Sequence, residues 1–84
     1  MSPEDLKGLP TAQLAEVARH AMSELALRDS HESFTELLSM TGHAGTCVAQ
    51  SARSLAVAGS WSQVADLSGT TKQAAWSKWS RPTS

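Results

Sequence analysis

Between Thr11 and Asp29 the sequence TAQLAEVARHAMSELALRD repeats its apolar residues at intervals of three and four, through Leu14, Val17, Ala18, Ala21, Met22, Leu25 and Ala26. That spacing follows the turn of an α-helix and gathers the side chains into one continuous stripe. Such a stripe is most simply core, and because Leu14, Ala21 and Leu25 lie along one seam, it also suits packing against its own copy. The composition points the same way: 40% of residues are hydrophobic, many of them alanine, and only 5% are aromatic. This suits small helices packed closely and is poor material for a sheet. The expected fold is all-α, a single-domain compact bundle of about five or six helices. At 84 residues the chain is near the lower limit for a self-sufficient core, so a homodimer is expected.

Capping signals divide the rest of the chain. Ser2, Pro3, Glu4 and Asp5 form a helix start, which Gly8 and Pro10 then stop. Thr11 is the predicted cap of the striped helix. Ser30 opens a third helix through HESFTELLSM that would bury Phe34, Leu37 and Leu38 and end near TGHAGT, where two glycines punctuate the chain. Thr46 would then cap a fourth, CVAQSARSLAVA, with Val48, Ser51, Ala52, Leu55 and Ala56 inward and Gly59 as its stop. Residues 1–45 are thus read as N-terminal helices serving core and dimerisation, and residues 46–80 as a helix followed by a shorter helix pair. The last four residues, RPTS, are expected to fray.

Charge is segregated along the chain. Residues 1–46 carry three cations (Lys7, Arg19, Arg28) against seven acids, a net −4, whereas residues 47–84 carry Arg53, Lys72, Lys78 and Arg81 against Asp66 alone, a net +3. An acidic first half and a basic second half fit a scaffold that presents only one surface to a polyanion. No stretch approaches the roughly 20 apolar residues of a membrane-spanning helix, so no membrane partner is expected. The single cysteine, Cys47, cannot make an internal disulfide, and no early apolar run precedes a cleavage-like site, so a cytoplasmic protein is expected.

The most informative stretch is SWSQVADLSGTTKQAAWSKWS, residues 60–80. Ser60 stands three residues before Gln63, the capping-box arrangement, and predicts a helix over about residues 61–67. Ser68, Gly69 and Thr70 form a turn in which glycine can take positive φ. Thr71 then caps a second helix that meets no breaker before Pro82. Two short helices joined by a glycine-containing turn make up the unit that inserts a helix into the DNA major groove. With Ala65 four residues before Gly69, and with Thr71, Lys72, Gln73, Ala74, Ala75 and Trp76 following, residues 47–80 resemble the helix-turn-helix of small bacterial regulators and of resolvase-like or sigma-like DNA-binding modules.

At 100° per residue, Thr71, Ala75 and Trp79 share one side of the last helix while Gln73, Ser77 and Ser80 share the other. Trp79 is the expected core anchor, and Trp76 lies on the flank. Gln73 suits a bidentate contact to adenine, Ser77 suits a base or a phosphate, and Lys72, Lys78 and Arg81 suit phosphates, with Arg53 as a further contributor. The expected DNA-contacting set is therefore Thr71, Lys72, Gln73, Trp76, Ser77, Lys78, Ser80 and Arg81. The expected activity is sequence-specific binding of double-stranded DNA by a small transcriptional regulator. The alternative is a helical interaction module, an adaptor, anti-regulator or antitoxin-like protein that engages a protein partner through its N-terminal helices.

No catalytic signature is present: no nucleophile motif, P-loop or dinucleotide fingerprint occurs. His43 and Cys47 are four apart, but His20 and His31 belong to other helices, so no four-ligand set forms and neither metal nor cofactor is expected. His20 and His31 are read as solvated faces or helix ends, and Cys47 as a small buried residue.

Overall fold

Capping chemistry sets where the helices begin and end. The computed structural model describes residues 2–81 and contains five helices and, among those residues, no strand: α1 (Pro3–Lys7), α2 (Thr11–Leu27), α3 (His31–Ala58), α4 (Trp61–Ser68) and α5 (Lys72–Trp79). No helix among them is long and apolar enough to cross a membrane. The breaker Pro82 and most of the RPTS tail lie outside the described residues. The chain divides into two compact units, Met1–Ser39 and Met40–Ser84, whose limit falls inside α3.

In the first unit, Ser2 caps α1 and Asp5 answers it, its Oδ2 accepting from both the backbone N–H and the hydroxyl of Ser2 at 3.1 Å. Helix α2 begins one residue earlier than the cap prediction places it: Pro10 is the N-cap, its carbonyl accepting from Leu14 N at 2.9 Å, and Thr11 is already helical. The ring of Pro10 fixes φ at −57°, and with ψ at 150° the residue takes the non-helical conformation of a cap, so Thr11 need not. At the start of α3, Ser30 Oγ accepts from Ser33 N at 3.1 Å, as its cap role requires. The buried residue of this segment is Ser33, whose hydroxyl donates to the Arg28 carbonyl at 2.6 Å and ties the elbow between α2 and α3. Phe34 and Leu38, expected inside, are 63% and 55% exposed.

Helix α3 corrects a second expectation. The glycines of TGHAGT do not divide it; it runs unbroken for 28 residues. A helical glycine costs about 1 kcal/mol relative to alanine but keeps its N–H donor, so without a proline the hydrogen-bond ladder continues. Thr46, read as a cap, instead donates its hydroxyl to the Gly42 carbonyl at 3.2 Å, the back-bond of a threonine inside a helix.

The second unit holds a small core of Ala52, Val64, Ala65 and Ala75, with Leu55, Ala56, Trp61 and Trp79 packed against it. Ala49 is also buried, whereas Val48, assigned to the inner side, is 51% exposed, and Ser51 is exposed too. Alanines at the crossings let the helix backbones approach, and the two tryptophan rings fill the periphery.

Candidate nucleic-acid interface

The C-terminal helix pair is built by three local devices. Ser60 Oγ accepts from Gln63 N at 3.3 Å and starts α4. Gly69 ends it at φ 73°, the one positive φ among the described residues, a conformation that side chains disfavour by about 1–2 kcal/mol. Thr71 Oγ1 then accepts from Ala74 N at 3.1 Å and starts α5.

The polar residues flanking Gly69 hold the turn together. Ser68 Oγ donates to the Val64 carbonyl at 2.7 Å and lies 3.1 Å from Thr70 Oγ1, which in turn donates to the Thr71 carbonyl at 3.3 Å. Thr70 N also bonds the Ala65 carbonyl at 3.0 Å. Consequently the Val64 and Ala65 carbonyls near the end of α4 find partners without aliphatic packing at the turn.

Against this frame α5 buries Ala75 to 1% exposure, with Val64 and Ala65 of α4 at 4%. Trp79 is half-buried against the same cluster, as its anchor role requires, and Lys78 Nζ stands 5.2 Å from the centroid of its ring. Lys72, Gln73, Ser77, Lys78 and Arg81 are exposed, and Trp76 is 49% exposed. At 100° per residue, Gln73 and Ser77 lie within about 40° of each other on the side away from Ala75, with Lys72 on one flank and Lys78 on the other.

Two members of the expected set differ from the rest. The Thr71 hydroxyl is occupied as the N-cap of α5. Ser80 is half-buried, and its Oγ is shielded from solvent with no hydrogen-bond partner.

Arg53, considered as a phosphate ligand, serves the fold instead. From α3 its Nη1 donates to the carbonyls of Trp79 and Arg81, both at 3.3 Å, so a cation sits at the negative end of α5. Sequence reasoning missed this role because its partners lie 26 and 28 residues away. The only local signal was a cation isolated on an otherwise small-residue helix.

The histidines and the cysteine make no metal cluster among the described residues. His20 pairs with Glu16 at 3.7 Å on α2, His31 is exposed at the start of α3, and Cys47 is exposed rather than buried, its Sγ 3.5 Å from His43 Nε2. No protein-family model, curated protein or solved structure matches the chain.

Proposed function

We propose that the protein binds double-stranded DNA in a sequence-specific manner, as a small transcriptional regulator, and that α5 is its reading helix in a helix-turn-helix formed with α4. The observation that carries this reading is the exposed face of α5, where Gln73 and Ser77 stand between Lys72 and Lys78 while Ala75 locks the opposite side. A glutamine at the centre of an inserted helix can meet an adenine edge with two hydrogen bonds, and lysines on the two flanks can meet the two phosphate walls. The basic balance of residues 47–84 draws this half of the chain toward a polyanion.

The test is a mobility-shift titration of folded protein against DNA from its genetic neighbourhood, with competitor DNA, at about 50 and about 200 mM salt. A discrete shift that survives competitor is expected. Gln73→Ala with Ser77→Ala should abolish discrimination between sequences, while Lys72→Ala should weaken binding to all sequences and lower the salt slope by about 1 per copy. Absence of any shift at the lower salt would remove this reading and leave the protein-interaction module, acting through the N-terminal helices, in its place.

A further inference from the structure

Between its two flanking lysines, α5 offers a groove four exposed residues: Trp76, Gln73, Ser77 and Ala74, in that order around the helix. At 100° per residue each stands about 40–60° from the next. Trp76 is 49% exposed. Two side chains that hydrogen-bond are thus bracketed by two apolar ones, an indole and a methyl. Ala75 and the Trp79 ring occupy the opposite, packed side.

Each base edge in the major groove has its own preferred reader. Guanine is met by an arginine or lysine spanning O6 and N7, cytosine by a carboxylate that accepts from N4, and adenine by an asparagine or glutamine across N6 and N7. The cations of residues 47–84 stand away from the centre of this face. Arg53 is held by the carbonyls of Trp79 and Arg81, and Lys78 Nζ lies 5.2 Å from the centroid of the Trp79 ring. Lys72 is about 100° from Gln73 around the helix, and Arg81 follows the end of α5, away from the N-terminal residues with which a recognition helix meets base edges. Asp66, the acid of this half, belongs to α4. Gln73, in the first turn of α5, carries the group that spans a base edge, and its match is adenine.

The apolar neighbours narrow the choice further. Among the four base edges in the major groove, thymine alone presents an apolar group, its C5-methyl. The indole of Trp76 stands three residues beyond Gln73 and about 60° from it, so it faces the pair that Gln73 reads or the next one. Against a guanine or cytosine edge the ring would press on polar atoms, whereas a thymine methyl covers it and both leave water. Given α5 as the DNA-reading helix, on which this inference rests, we propose that it selects A·T pairs. Trp76 is then a specificity-determining residue that receives a thymine methyl beside the adenine read by Gln73.

The experiment uses the full chain to select duplexes from a random pool at about 50 mM salt. Bound sites should be enriched in A·T pairs. Each thymine of a selected site is then replaced in turn by deoxyuridine, which pairs identically and lacks only the C5-methyl. In at least one position the parent protein should lose about fourfold in affinity, the worth of one buried methyl, a measurement that needs no variant. Trp76→Ala, with unchanged circular dichroism, should bind the thymine and deoxyuridine duplexes equally, and Trp76→Phe should restore the ratio. Gln73→Ala should keep the ratio while losing the preference for adenine. A pool in which no duplex is enriched would remove the DNA-binding reading and this inference together. Selected sites built on G·C pairs, a parent protein indifferent to every deoxyuridine, or a ratio unchanged in folded Trp76→Ala would overturn this inference alone and leave DNA binding standing.

Discussion

Helix α2 has 17 residues and buries none, whereas α4 and α5, with eight residues each, bury Val64, Ala65 and Ala75. Both regions carry helical apolar spacing. What separates them is the connection that follows. After α4, Gly69 at positive φ turns the chain at once, and α5 returns its alanine face to α4. After α2, the chain leaves through an extended Arg28 and the Ser30–Ser33 hydroxyl pair. Periodicity thus specifies that a face is apolar, while for α4 and α5 the turn at Gly69 specifies what covers it.

The contrast predicts that equal chemical insults have unequal effects. The largest is expected from Ala75→Asp, which places an unpaired carboxylate at a site 1% exposed and should cost more than about 3 kcal/mol, abolishing cooperative urea unfolding of the C-terminal unit. An unchanged transition midpoint would mean that α4 and α5 are not packed through Ala75. Next is Arg53→Met, which keeps the aliphatic stem and removes two long, partly solvated hydrogen bonds; a loss of about 1 kcal/mol is expected by the same titration.

The glycines provide a matched pair of opposite sign. Gly69→Ala should lower stability by about 1 kcal/mol because alanine resists its φ of 73°. Gly42→Ala should raise helix stability by a similar amount, since the added methyl meets nothing within 4 Å. Melting both variants beside the parent checks the two signs together. The smallest effect is expected for Ser80→Ala, which removes a buried hydroxyl that lacks a partner and should be neutral or stabilising by up to about 1 kcal/mol. A clear loss of stability there would reveal a hydrogen bond that Ser80 makes in solution.

Much of the candidate site was legible in the sequence. The caps at Ser60 and Thr71, the positive φ of Gly69 and the opposed faces of α5 all follow from bonds or torsions spanning no more than four residues. The misreadings have one origin. TGHAGT was read as a break, yet an isolated glycine weakens a helix without removing a donor, and α3 passed through it. Phe34, Leu38 and Cys47 were read as buried from their chemistry alone, yet a side chain is buried only where another element covers it.

Much of the local order along this chain therefore follows from residue identity: the helix starts at Ser2, Ser30, Ser60 and Thr71, and the reversal at Gly69. Each rests on interactions between near neighbours, which residue type and spacing encode. Burial does not. That Ala75 is shielded while Phe34 is open, that Ser33 rather than a leucine fills the elbow, and that Arg53 reaches the end of α5 across 26 residues depend on how segments return to one another in space. Desolvation is a property of the surroundings, and those surroundings exist only once the chain has folded.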